Sequence, residues 1–216
     1  MSSVETSQPV DALLLIGPGC PHCAAVLEVL GKLVKEGQIG RLEVVNVARI
    51  PEQAAELGVR SVPWLRLGPF ELEGAQTEGQ LRHWIEQAVA PQGIALYFTH
   101  LLETGELNKV MDLVRAHPHY LDQIVYLAAD IEQDLKIRLG IGAVFEELKD
   151  SELLKNRVPE LGKLTKNPSA KVRADAAYFL SLSGSKTAVF YLKPLLQDES
   201  AEVREIAAEA MQELGY

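Results

Sequence analysis

The segment Ala12-Leu13-Leu14-Leu15-Ile16-Gly17-Pro18-Gly19-Cys20-Pro21-His22-Cys23 decides how the first half of this chain is read. Its five consecutive apolar residues have the length of a buried strand, and Gly17-Pro18-Gly19 breaks the run immediately before Cys20. Past the cysteines, Leu27, Leu30, Leu33 and Val34 recur at helical spacing, with Pro21 suited to the first helical position and Gly37 and Gly40 read as the stop. The two cysteines therefore stand where a strand hands over to a helix.

The same reading extends outward. Leu42, Val44, Val45 and Val47 predict a β-branched strand, and Pro51 to Leu57 a short helix closed by Gly58. Trp64-Leu65-Arg66-Leu67 and Phe70-Glu71-Leu72 predict a hairpin across Gly68-Pro69, and Thr77 to Val89 a helix. The order β-α-β-α-β-β-α gives each apolar strand an amphipathic helix to cover it, which predicts one small α/β domain.

From Gln92 onward the pattern is helical throughout, as in Leu107, Val110, Met111 and Val114. Asn167-Pro-Ser-Ala-Lys-Val-Arg-Ala-Asp-Ala-Ala aligns with Asp198-Glu-Ser-Ala-Glu-Val-Arg-Glu-Ile-Ala-Ala at an offset of 31, and Ile137-Arg138 echoes Val172-Arg173 at 35. In the last copy Val203, Ile206, Ala207, Ala210, Met211 and Leu214 line one helical face, which needs a neighbouring repeat to cover it. Ser169 and Ser200 are placed to cap their helices, and the pairs Ala176-Ala177 and Ala207-Ala208 to allow close approach. Both cysteines and both tryptophans precede Pro91 while all six tyrosines follow it, so the expected domains are residues 1–90 and 91–216.

The formal charge of -9 is shared, with 7 Lys+Arg against 11 Asp+Glu before residue 92 and 14 against 19 after it. Without a basic stripe, neither nucleic acid nor an anionic membrane is an expected partner. Residues 1–10 carry no basic n-region, Ala12 to Ile16 is too short for a signal core, and no apolar stretch approaches a membrane span, so a cytoplasmic protein is expected. In a reducing compartment a Cys pair three apart reads as reactive or metal-binding. Two cysteines and the scattered His22, His83, His100, His117 and His119 lack zinc-ligand spacing, so no metal is expected.

A Cys at the start of a helix meets unpartnered N–H groups and the positive end of the helix dipole, which stabilise a thiolate. Cys20 is therefore the expected nucleophile, and Cys23, one turn in and more buried, the resolving thiol. His22 beside Cys20 would stabilise the anion further and favour the reduced form.

These motifs resemble two families: the first half the thioredoxin superfamily, the second the HEAT-like repeats of the phycobilisome-lyase type. The expected fold is an α/β thioredoxin-like domain followed by an all-α HEAT-like domain. Cys-Pro-His-Cys resembles the active site of DsbA-type oxidases more than the Cys-Gly-Pro-Cys of typical thioredoxins. Ser61-Val62-Pro63 resembles the superfamily's cis-proline loop, which faces the cysteines and offers backbone groups to a substrate peptide. The resemblance implies a thiol–disulfide oxidoreductase without bound cofactor, with Cys20, Cys23, His22 and Pro63 catalytic and Pro21, Val62 and Trp64 at the substrate. Its expected partners are protein thiols or disulfides, and a further protein on the repeats. Leu14, six residues before Cys20, departs from the buried Asp of typical thioredoxins, and Gly19 from their Trp. Gly74-Ala75 resembles the small-residue pair that holds glutathione in glutaredoxins, and a redox-sensing scaffold is the other reading that the motifs allow.

Overall fold

The structure is a computed structural model that describes residues 9–216. The stretch read for targeting signals lies, up to residue 8, outside the described residues. Contacts divide the chain after Ile94 into two compact units.

In the first unit the elements run β1 (Val10–Ile16), α1 (Cys23–Lys35), β2 (Ile39–Asn46), α2 (Pro51–Glu56), β3 (Trp64–Leu67), β4 (Phe70–Glu73) and α3 (Glu78–Val89). The sheet order is β2-β1-β3-β4, with β1 parallel to β2 and antiparallel to β3, and β3 antiparallel to β4. The parallel pair requires a crossover, which α1 supplies. A central strand covered on both faces needs apolar residues at every position, and Leu14 and Leu15 are both fully buried. One face, carrying Leu13, Leu15, Val45 and Trp64, packs against Ala54 and Leu57 from the α2 segment. The alternation of side chains turns Leu14, Leu65 and Leu67 to the other face. That face is covered by Val26, Leu30 and Leu33 of α1 and Leu81, Trp84 and Ile85 of α3, with Trp84 5.0 Å from Phe70.

Two local devices fix α1 and α3. Thr77 Oγ1 accepts the Gln80 N–H (3.3 Å) while Gln80 Oε1 accepts the Thr77 N–H (2.9 Å), a reciprocal cap on α3. Glu78 accepts from Lys32 (2.8 Å) and Arg82 (2.7 Å), and Arg82 also reaches Glu36 (2.7 Å), which ties the two helices together. Those cationic partners hold the Glu78 carboxyl below its ordinary range. Gly40, expected to stop α1, instead lies in β2. The helix ends earlier, at Lys35, and Gly37 (φ +76°) turns the chain into the strand.

The second unit is helical: α4 (Gly93–Thr104), which begins just before it, α5 (Leu107–Ala116), α6 (Leu121–Ala128), α7 (Leu135–Glu147), α8 (Glu152–Lys155), α9 (Val158–Leu164), α10 (Ala170–Leu182), α11 (Val189–Leu195) and α12 (Ala201–Glu213). Both ends of α9 and of α10 recur in α11 and α12 at an offset of 31 residues, and α7 precedes α10 by 35 at equal length. The repeat is thus a helix pair, and α10 packs between α7 and α12 with Val172, Ala176, Ala177 and Leu180 fully buried. Ser169 and Ser200 occupy the cap positions, but their side chains cap nothing. Asn167 and Asp198, two residues earlier, accept their backbone N–H groups at 2.9 Å instead. Ala207 is fully buried as expected, whereas Ala208 is exposed on the outer side of α12.

Candidate functional site

The sulfur pair sits at the carboxyl end of β1. Gly19 adopts φ +76° in the turn leaving the strand, and the Cys20 N–H bonds back to the Gly17 carbonyl at 3.4 Å. The first helical bond runs from the Val26 N–H to the His22 carbonyl (3.2 Å), so His22 is the cap and α1 opens at Cys23. Pro21 consequently lies in the turn, not at the first helical position. Cys23 takes that position, and its N–H, without an intrahelical partner there, points at Cys20 Sγ from 3.1 Å.

Cys20 and Cys23 form a disulfide with Cα atoms 5.6 Å apart. Cys23 is 6 % exposed and Cys20 half-buried, while Pro21 and His22 are exposed beside them. The first turn of α1 carries no acidic residue to offset the positive end of the helix, and Lys32 and Lys35 stand at its far end. A negative sulfur at Cys20 therefore has a backbone N–H aimed at it and an unopposed helix terminus behind that.

Across from the sulfurs lies the loop before β3. The Val62–Pro63 peptide is cis, and Cys20 Sγ is 3.6 Å from the Val62 carbonyl oxygen. In the dithiol form that oxygen is the acceptor within reach of a Cys20 S–H. Pro63 is buried and Val62 half-buried, and the Pro63 carbonyl accepts the Gly74 N–H at 2.9 Å. Among the described residues no backbone group pairs with the Val62 N–H.

Trp64 does not join this surface. It was expected at a substrate groove, but it pairs in register with Leu15, which turns it toward α2, and only 2 % of it is exposed. Gly17 is the participant that motif reading missed. A Cβ there would lie 3.2 Å from Val62 Cγ2 and 3.5 Å from Val47 Cγ2, so the glycine lets the Val62 loop close down beside the turn. Its only signal in the sequence was membership in a Gly-Pro-Gly turn. Leu14, at the position of the expected departure, is fully buried and apolar.

A family model for a thioredoxin domain matches residues 12–86, and one for HEAT repeats matches residues 128–216. The chain carries a thioredoxin domain followed by HEAT repeats. No curated protein matches it. The thioredoxin domain holds both cysteines and the Val62–Pro63 loop, and the HEAT repeats hold α7 to α12. Among the described residues no three His, Cys, Asp or Glu side chains converge as a metal would need, and no helix is long and apolar enough to cross a membrane. His117 and His119 are exposed in the turn before α6, their rings 4.9 and 4.6 Å from that of Tyr120.

Proposed function

We propose that this protein is a cytoplasmic thiol–disulfide oxidoreductase whose substrates are protein disulfides or dithiols. The observation that carries the reading is the 3.1 Å approach of the Cys23 N–H to Cys20 Sγ, which prepares Cys20 for negative charge. In the reducing direction the Cys20 thiolate attacks a substrate disulfide, forming a mixed disulfide and releasing one substrate thiolate. Cys23, after losing its proton, attacks Cys20 Sγ. The Cys20–Cys23 bond forms, the second substrate sulfur leaves, and two electrons have passed from the domain to the substrate. The oxidising direction is the reverse.

The Val62 carbonyl lies beside the attacking sulfur, and with the Val62 N–H, which no described backbone group takes, it suits strand-like pairing with an extended substrate backbone, with Pro63 setting the loop and the exposed Pro21 flanking the approach. His22, also exposed, adds a ring that stabilises the thiolate when protonated. The reaction calls for no bound cofactor. The HEAT repeats carry no sulfur chemistry and serve to hold a protein partner.

The test is the reduction potential of the pair, read by thiol alkylation after equilibration in graded glutathione buffers. A value near the ~-270 mV of thioredoxin supports a reductase, and one toward the ~-120 mV of DsbA an oxidase or isomerase. Failure of the intramolecular disulfide to form at any poise overturns the reading.

A further inference from the structure

Of the two outer strands of the sheet, β2 is the longer, and the ladder on its inner side determines what its outer side presents. The Val47 N–H bonds the Ile16 carbonyl at 2.9 Å, and the register with β1 runs without a shift from Arg41 to Asn46. By alternation Arg41, Glu43 and Val45 also turn their backbone groups to β1, and Leu42 and Val44 direct theirs away from the sheet. Among the described residues no backbone group takes them. Val44 is 39 % exposed, and Leu42, on the same face, is half-buried. An edge with unpaired N–H and carbonyl groups beside apolar side chains is a template for another strand.

The charges along this edge narrow that strand to a second copy of β2. Gly40-Arg41-Leu42-Glu43-Val44 places one cation and one anion symmetrically about Leu42. When two copies run antiparallel with Leu42 facing Leu42, each Arg41 stands opposite the other chain's Glu43. Those are the non-hydrogen-bonded positions, where opposed side chains come closest. Centring on Arg41 or Glu43 would oppose like charges, and centring on Val44 would set Glu43 against the buried Val45. Within one chain Arg41 reaches Asp11 at 3.8 Å and Glu43 at 4.0 Å, both longer than a hydrogen bond, and 73 % of its side chain is exposed. The other outer strand, β4, has only four residues, and its own pairing about Leu72 would set Glu71 against Glu73.

We infer that two copies of this chain pair through β2, antiparallel about Leu42. Leu42 exchanges both backbone bonds with its mate, Val44 bonds Gly40 of the second copy, and Arg41 pairs with Glu43 across the two-fold axis. At about 3.3 Å per residue, Asn46 lies about 13 Å along β2 from that axis. The thiol turn leaves the parallel neighbour β1 at the same end of the sheet, opposite Asn46. The pairing therefore sets the two Cys20–Cys23 pairs at opposite ends of the joined strands, away from the contact.

The experiment is sedimentation velocity of the full chain across a concentration series. The chain is expected to pass from monomer to dimer with a Kd on the order of 10 micromolar. Arg41→Glu and Glu43→Arg each set like charges against one another twice and should weaken the dimer about tenfold or more. The double variant, Arg41→Glu with Glu43→Arg, exchanges the two signs and should recover the parent's affinity. An equimolar mixture of the two single variants should likewise dimerise at a concentration where neither does alone, because each guanidinium again meets a carboxylate. Both side chains are exposed, so circular dichroism of every variant should match the parent. A monomer throughout the series, a dimer indifferent to either charge reversal, or a double variant as weak as the single ones overturns the inference.

Discussion

Arg173 holds Asp198 through two bonds of 2.8 Å, Nε to Oδ2 and Nη2 to Oδ1, with both side chains only 8 % exposed. Its Nη1 donates to the carbonyls of Asn167 (2.9 Å) and Pro168 (3.0 Å), so one guanidinium joins the loop entering α10 to the loop entering α12. Arg204, its counterpart one repeat on, bonds the Asp198 and Glu199 carbonyls through Nη1 but is exposed. Lysine cannot reproduce a planar fork. Arg173→Lys should therefore lower the thermal midpoint by about 5 °C, and Arg204→Lys by far less. The Arg173 guanidinium holds the Asp198 carboxyl below its ordinary value of 3.8. A depressed carboxylate contributes stability that is fully present above that value and is lost as pH falls through the lower folded-state value. The gap between parent and Arg173→Lys, followed by calorimetry, should accordingly close on acidification below about pH 3.8.

Gly162 is buried on α9, and a Cβ added to it would overlap three atoms of the Tyr191 ring. Alanine gains about 1 kcal/mol over glycine from helix propensity, but overpacking a filled contact costs about 1–3 kcal/mol. The overlap engages the ring at its base as well as its edge, so the steric cost should win. Gly162→Ala is predicted to destabilise the protein by about 1–2 kcal/mol in urea unfolding. In a Tyr191→Ala background the ring is gone, and the same substitution should become neutral or stabilising. A double-mutant cycle with no coupling would remove this account of the packing between α9 and α11.

Much of this arrangement is legible in the amino-acid sequence. The apolar run Ala12 to Ile16 identified the central strand through its strand length and the Gly17-Pro18-Gly19 that ends it, and the offset of 31 residues marked the repeated helix pair. What sequence could not resolve were choices between equivalent local solutions. Proline suits a turn as well as a first helical turn, and only the bond from Val26 to His22 fixes where α1 begins. Gly37 and Gly40 are both helix breakers in composition, but Gly37 alone takes the positive φ, leaving Gly40 to the strand. Trp64 followed from register: one residue's shift along β3 would have turned it to the opposite face of the sheet. The closeness of Gly17 to Val62 joins segments 45 residues apart and left no local trace.

Tyr178 is pushed up to about 12 by partial burial on α10 and by its hydrogen bond to Glu146 Oε1 at 2.9 Å, with the charges of Glu146 and Glu213 adding to the shift. In the unfolded chain the phenol returns to its ordinary value of 10.0. The folded state therefore keeps its proton over a range in which the unfolded state has lost it. Stability from this group is complete below pH 10 and is lost as pH rises through about 12. Urea titrations across that range should show a steeper loss for the parent than for Tyr178→Phe, which has no proton to release. Parallel slopes would mean that the hydroxyl is not differentially held in the fold.

The two sulfurs of the pair differ in exposure. Cys20 is half-buried with the Cys23 N–H aimed at its sulfur, whereas Cys23 is 6 % exposed and sits at the first position of α1. In the proposed reaction an incoming disulfide meets the first of these, and the resulting mixed disulfide is cleared from inside by the second. Cys23→Ser removes the clearing step and leaves the capturing one, so it should accumulate covalent adducts with substrate proteins. Cys20→Ser leaves a thiol that partners cannot approach and should trap few or none. The two variants, incubated with oxidised protein substrates and compared on non-reducing gels, should differ by about tenfold or more in adduct yield, and dithiothreitol should dissolve the adducts. Equal trapping by both variants would show that Cys23 is reachable from solvent, and the assignment of attack to Cys20 would fall with it.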